Sequence, residues 1–381
     1  MKKIFLNFVL INLICVEFVN AQWTNKLMNF GGLTRSYRVY KSPNYNSSNP
    51  ASLIIALHGL GDNMTDFSNT LDFSPIADTA NIICVYPQAA YDLFVGTAWN
   101  ASAGLNGYYP NGFIDDVGFL NALIDTILAN YAIANNRIYM CGFSLGGFMS
   151  QKMALLSNTR IAAFASISGT IGNGTIYFNP GRVIPIAHFH GVADSVVTYY
   201  NNPYGFDADS LVKFWINNNL CSANPVVYNY PDLVNDGITI ERFEYSGGTS
   251  HSEVWFYKIH GGNHYILSRP ANDISQSVEV WLFFRRHILT SNGLNLNNAI
   301  TTSNITIYPN PASQKVLIKV PAESRYANNI LNIYNTQGQL ILSKLIDYEV
   351  TEVDIKNLTS GVYLLKVLNN NNFEVIKFIK E

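Results

Sequence analysis

Short apolar runs alternate with longer segments of helical period over the first three-quarters of the chain. Runs at residues 35–40, 53–57, 82–86, 137–141, 164–167, 184–190 and 254–259 read as strands. Between the third and fourth lies the segment 115–130. There Val117, Leu120, Leu123, Ile124, Ile127 and Leu128 fall on one helical face, and Asp115 or Asp116 is placed to cap the start. Residues 207–219 and 273–288 read as further covering helices. Sustained alternation of this kind predicts a doubly wound, mostly parallel sheet with helices packed on it.

The pattern ends near Leu289. Residues 290–304 are polar, rich in asparagine and aperiodic, which predicts a linker. Beyond it the rhythm changes to short alternating strands at 316–320, 330–334, 339–344, 362–368 and 374–379, with turns at 337–338 and 369–372. Residues 305–381 therefore read as a small all-β, sandwich-like module. The chain shows no internal repeat.

The N-terminus changes the picture of where the protein works. Lys2 and Lys3 precede an apolar run from Ile4 to about Phe18, and Val19-Asn20-Ala21 has the small-x-small form of a cleavage site. Residues 1–21 are expected to be a cleaved export signal, leaving 22–289 as the main domain. A membrane anchor would need a longer apolar stretch with basic residues after it, so no span is expected in the mature protein. Cys15 follows Ile14 and does not fit a lipoprotein cysteine. Cys84, Cys141 and Cys221 remain, an odd number, so no disulfide framework is indicated, although one pair is open to forming. Charged residues are 13% of the chain and the net charge is −2, which excludes an electrostatic grip on nucleic acid or anionic lipid. No metal-ligand spacing is visible, and no cofactor is expected.

Candidate chemistry sits at the end of the fourth strand. It runs directly into Gly142-Phe143-Ser144-Leu145-Gly146-Gly147, followed by a helix-forming stretch from Phe148. A serine at a strand-to-helix turn flanked by glycines has the nucleophile-elbow pattern. The glycines are needed because side chains two residues either side of Ser144 would meet neighbouring backbone. A serine nucleophile needs a base, and the base an orienting acid, in the chain order Ser, Asp or Glu, His. His264, in the loop Gly261-Gly262-Asn263-His264 after the last strand, is the preferred base, with His260 its rival. Asp194, in the loop after the preceding strand, is the preferred acid over Asp207, Asp209 and Asp232. His188 and His190 precede Asp194 and do not fit the order. The oxyanion donors expected are the N–H groups of Leu145 and of Leu60, the latter in the loop His58-Gly59-Leu60-Gly61-Asp62. Trp99 is a candidate for the wall of the substrate cleft, with core packing an equal alternative.

These residues resemble the secreted α/β-hydrolase esterase family that groups polyhydroxybutyrate depolymerase-like proteins with feruloyl and acetylxylan esterases. The resemblance runs from Gly32 to about Ile288. It rests on Arg35-Ser36-Tyr37, Leu57-His58-Gly59, Ile114 to Phe119, Arg137-Ile138-Tyr139, Gly142 to Gly147, His190 to Asp194 and Gly262-Asn263-His264. It implies a Ser144, Asp194, His264 triad and a substrate that is an ester-bearing polysaccharide or, as the alternative, a polyester. The family usually has Trp-Pro after the histidine, where this chain has Tyr265-Ile266, so the resemblance does not define the acyl pocket. Residues Ile307 to Ala312, Leu331 to Tyr334 and Leu358 to Tyr363 resemble the C-terminal sorting domain of type nine secretion. That implies an outer-membrane secretion partner and a location outside, or on the surface of, a Bacteroidetes-type cell. A carbohydrate-binding β-sandwich is the alternative for this module.

Overall fold

The structure, a computed structural model, describes residues 22–176, 178–289, 306–319, 329–335, 340–346, 350–369 and 372–381. The expected export signal (1–21) and linker (290–304) lie outside them, as does the turn at 337–338. The chain divides into two units, residues 1–291 and 292–381.

The first unit opens with β1 (Gln22–Phe30), β2 (Leu33–Lys41) and β3 (Ala51–Leu57), then α1 (Met64–Thr70), α2 (Ser74–Ala80) and β4 (Ile82–Pro87). A short hairpin, β5 (Ala90–Asp92) and β6 (Gly96–Ala98), precedes α3 (Asp116–Asn130), β7 (Ile133–Phe143), α4 (Leu145–Leu156) and β8 (Ala163–Ile167). After β9 (Ile186–Gly191) come α5 (Ala208–Asn219), β10 (Val226–Asn229), β11 (Thr239–Tyr245), β12 (Val254–His260) and α6 (Gln276–Phe284). Ten strands form one sheet in the order β1-β2-β4-β3-β7-β8-β9-β12-β11-β10. The six inner strands, β4 to β12 in that order, are parallel; the two at each side are antiparallel. The fold is thus that of an α/β-hydrolase, with antiparallel flanks beyond the parallel sheet the sequence pattern predicts.

Alternation along β3 explains the layering. Leu53, Ile55 and Leu57 join one core with Phe119 and Leu123 of α3, Met149 and Met153 of α4, and Trp215 of α5. Ile54 and Ala56 point the other way, into a second core with Phe67 of α1, Ala77 of α2 and Phe283 and Phe284 of α6. Every residue of β3 is buried, and full burial of each Leu or Ile contributes about 1.5–3 kcal/mol. Asp115 caps α3, accepting the Gly118 N–H at 2.8 Å. The last helix is shorter than the 273–288 expected, because Asp273 accepts N–H groups from Leu233 and Val234 instead of capping it.

The second unit holds two antiparallel sheets. One comprises β13 (Thr306–Tyr308), β14 (Lys315–Lys319) and β17 (Val350–Asp354), in that order. The other runs β16 (Leu340–Ile346), β15 (Asn329–Asn335), β18 (Gly361–Asn369), β19 (Asn372–Lys380). Val316, Ile318 and Val353 from the first pack with Leu331, Ile333, Leu365, Val367 and Phe378 from the second in one core. β13 and β17 are additions to the strands read from sequence.

Candidate active site

The carboxyl ends of β7, β9 and β12 converge on one point. Ser144 joins β7 to α4 with φ 53° and ψ −121°, a conformation costly for a residue with a Cβ. The turn holds because its backbone is bonded on both sides: Ser144 N–H donates to Ile167 C=O at 2.8 Å, and its C=O accepts from Phe148 N–H at 3.0 Å. The flanking glycines are steric necessities. A Cβ at Gly142 would overlap the Gly146 carbonyl, and one at Gly146 would overlap the carbonyls of Leu57 and His58. α4, buried along most of its length, starts directly after the serine, so its free N–H groups and positive dipole end lie at Ser144.

His264 stands on the loop after β12. Its Nδ1 lies 2.8 Å from Asp194 Oδ2 and its Nε2 2.9 Å from Ser144 Oγ. Asp194 Oδ1 accepts the N–H groups of Val196 and Val197, both at 2.9 Å. Burial pushes the Asp194 carboxyl up, but the His264 hydrogen bond and the backbone donors outweigh it, and the group sits below its ordinary value. An ionised Asp194 only accepts, so Nδ1 of His264 carries the ring proton and Nε2 is left to accept from the Ser144 hydroxyl. The two loops are laced together. Asn263 Oδ1 accepts from Ser195 N–H and Oγ, both at 3.1 Å, and from His264 N–H at 2.8 Å, while Ala193 N–H donates to Gly262 C=O at 3.0 Å.

The rival residues are occupied elsewhere. His260 Nε2 is 2.6 Å from Glu241 Oε2. Asp207 caps α5, and Asp209 accepts the Tyr199 hydroxyl at 2.6 Å. Among the described residues the three cysteines are free, and no group of side chains is arranged to hold a metal ion.

Behind Asp194 runs a buried hydrogen-bonded chain that the sequence reading missed. The Trp215 indole donates to Gln151 Oε1 (2.8 Å), and Gln151 Nε2 donates to Ser166 Oγ (2.9 Å). Ser166 meets His188 Nδ1 (2.8 Å), His188 Nε2 meets His190 Nδ1 (3.1 Å), and His190 Nε2 meets the Val197 carbonyl (2.7 Å). An indole only donates and a carbonyl only accepts, so every bond points the same way and both imidazoles are Nε2–H tautomers. Burial lowers the pKa of both, keeping them neutral. The chain ends on the residue whose N–H holds Asp194, and His190 Nε2 is itself 3.7 Å from Asp194 Oδ2. The sequence signal was two histidines on alternate positions of an otherwise apolar strand.

The turn after β3 passes beside the serine: a Cβ at Gly59 would lie 3.4 Å from Ser144 Cβ. His58 is fully buried and pins this turn, its Nδ1 2.7 Å from Gly59 C=O and its Nε2 accepting Ala89 N–H at 3.0 Å. Gly61 N–H donates to Thr97 C=O at 2.8 Å, while no described acceptor takes the Leu60 N–H. Trp99 requires a correction. It is fully buried, its indole N–H donates to His58 C=O at 2.9 Å, and it braces the turn from beneath without lining a cleft. Its neighbour Asn100 is held by Asp116 (2.7 Å) and by Lys152 (2.7 Å), and Asp116 is ion-paired to buried Arg35 at 2.7 Å.

A serine in a strained strand-to-helix turn, on a sheet of this order, defines an α/β-hydrolase. Residues 44–205 match the phospholipase/carboxylesterase family model, and residues 306–381 match the secretion system C-terminal sorting domain. Feruloyl esterase D of Neurospora crassa is 28% identical over 262 residues, covering 68% of this chain and 84% of that protein. The bifunctional acetylxylan esterase/xylanase XynS20E of Neocallimastix patriciarum is 26% identical over 254 residues, covering 66% of this chain but 34% of its own. Among solved structures, an acetyl xylan esterase from Aspergillus awamori aligns with a TM-score of 0.49 and 13% identity over 69% of this chain and 99% of that one. Residues 306–381 are a type nine secretion sorting domain, the export route of Bacteroidetes-type bacteria, and the relatives matched by the first unit are named as esterases. No helix among the described residues is long and apolar enough to cross a membrane.

Proposed function

We propose that the chain is a serine esterase that cleaves acyl esters, feruloyl or acetyl, from plant polysaccharide outside the cell. The observation that carries the mechanism is the unbroken line Asp194–His264–Ser144, with bonds of 2.8 and 2.9 Å. In the first step Ser144 Oγ attacks the ester carbonyl while His264 Nε2 takes its proton. The tetrahedral oxyanion rests on the N–H groups of Leu145 and Leu60, aided by the dipole of α4. Collapse expels the alcohol, which receives the proton from His264. Water, deprotonated by the same nitrogen, then attacks the acyl-enzyme and releases the acid and Ser144. Asp194 stabilises the imidazolium in both steps. The chemistry of these residues closes without a cofactor.

The substrate class is supported by the relatives, which are named for feruloyl and acetylxylan ester cleavage. The test is a panel of methyl ferulate, acetylated xylan and amorphous polyhydroxybutyrate at matched ester concentration. The polysaccharide or feruloyl ester should be cleaved fastest; faster release of hydroxybutyrate would reassign the enzyme to polyesters and leave the serine chemistry standing.

A further inference from the structure

The segment 90–113 carries six aromatic residues and a single charge, Asp92. Among its side chains Leu93 is 86% exposed, Phe94 83%, and Phe113 fully exposed, with Tyr91 and Tyr108 also reaching solvent. Clusters of this kind are rare on a soluble surface unless something binds them.

The cluster is held in place. One nearly buried carboxylate, Asp92, accepts from the Tyr108 hydroxyl and from the N–H groups of Phe94 (2.9 Å), Val95 (3.3 Å) and Asn111 (2.8 Å). The Asn111 amide donates to the carbonyls of Ala90 (3.0 Å) and Ala98 (2.7 Å), clamping the loop to both strands of the β5–β6 hairpin. The rings of Phe94 and Tyr108 meet edge to face at 5.6 Å. The hairpin is in turn bonded to the turn beside Ser144, through Gly61 N–H to Thr97 C=O (2.8 Å) and Thr97 Oγ1 to Asp62 C=O (2.6 Å). The hairpin backbone and the paired rings of Phe94 and Tyr108 are therefore presented at a fixed offset from the serine, which limits the ordering entropy lost when a ligand binds.

We propose that the tip of the β5–β6 hairpin, together with residues 108–113, is a docking platform for the uncharged polysaccharide chain that bears the scissile ester. The proposal rests on the esterase reading above and adds to it a named polymer contact. Three observations favour this occupant. The lone charge of the segment is turned inward, so the surface offers nothing to an acidic or basic polymer. Rings outnumber aliphatic side chains on it, and ring faces attract the C–H faces of sugars. The hydroxyls of Tyr91 and Tyr109 add donors and acceptors that sugars use and an aliphatic polyester has little use for.

The experiment compares the wild-type chain with Phe94→Ala/Phe113→Ala, whose mutated side chains are solvent-exposed. Two readouts are taken. The first is the ratio of kcat/KM on acetylated or feruloylated xylan to kcat/KM on p-nitrophenyl acetate, which should fall about tenfold, through KM on the polymer. The second is retention on insoluble xylan in a Ser144→Ala background, which needs no turnover and should be lost in the triple variant. An unchanged ratio with unchanged retention overturns the platform. A wild-type chain that cleaves no ester would sink the esterase reading instead, and the retention arm would still report on the platform.

Discussion

The two units bury their strands in different ways, and the difference locates the chemistry. In the first unit every residue of β3, β4, β8 and β9 is buried, because helices cover both faces of the sheet. In the second, β17 alternates strictly between exposed and buried, one face on the core and one in solvent. A sheet covered on both faces is reachable only at its strand ends, and the loops there carry Ser144, Asp194 and His264. Strain follows the same division: among the described residues every non-glycine with positive φ, Ser144 included, lies in the first unit. Among its described residues the second unit stores no such strain, and its sequence has no histidine to pair with a carboxylate, as befits a domain read by export machinery.

The sharpest way to break this contrast is to remove the proposed reacting groups. Ser144→Ala and His264→Ala should each lower kcat by roughly 10⁴-fold, and the double variant should be no worse than either, since the residues act as a unit. Additive losses in steady-state assays would contradict that. Gly146→Ala should be nearly as harmful by another route. Its methyl would overlap the carbonyls of Leu57 and His58, so we expect a loss of about 2–3 kcal/mol in urea unfolding together with a displaced serine.

His190→Phe sharpens the role of the buried chain. It removes the donor to Val197 and should lower kcat about 10–100-fold with KM little changed, because Asp194 loses its alignment, not its charge. His190→Gln, which keeps a donor at the same reach, should recover part of the loss. Equal damage from both variants would leave His190 with packing alone.

Acid should weaken the first unit specifically. His58, His188, His190 and His287 are buried and have pKa values below that of a free imidazole, His287 down to about 4 through loss of solvation. Each has a folded pKa below its unfolded value of about 6.5, so below that pH the unfolded chain binds more protons and stability falls with pH. His287 alone should cost about 2 kcal/mol by pH 5. Unfolding monitored from pH 7 to 5 should show this slope, and His287→Gln should make it shallower. The smallest effect is expected from deleting the second unit. A chain ending at Ser291 should keep its kcat/KM on a small ester within about twofold but stay in the periplasm of its native host.

Much of this was legible in the sequence, for identifiable reasons. The parallel core was readable because strands buried on both faces leave continuous apolar runs. The three strand-end residues were readable because a strained serine turn forces glycines at 142 and 146, and chain order restricts its partners. Of the antiparallel flanks only β2 was readable: β10 is exposed throughout and β1 has no fully buried side chain among residues 23–30, and such strands carry little apolar pattern. Trp99 was left open between cleft and core because composition does not separate a ring facing a cleft from one whose indole N–H is spent on a buried carbonyl. The chain from Trp215 to Val197 stayed hidden because its members are far apart in sequence and meet only across α4, α5, β8 and β9.

One measurement bears on the central claim more directly than any variant. The wild-type chain would be incubated with a fluorophosphonate ester, digested, and its adducts mapped by mass spectrometry. The account expects a single stoichiometric phosphonyl adduct on Ser144, with labelling abolished in His264→Ala. An unlabelled protein, or an adduct on a different serine, would contradict it.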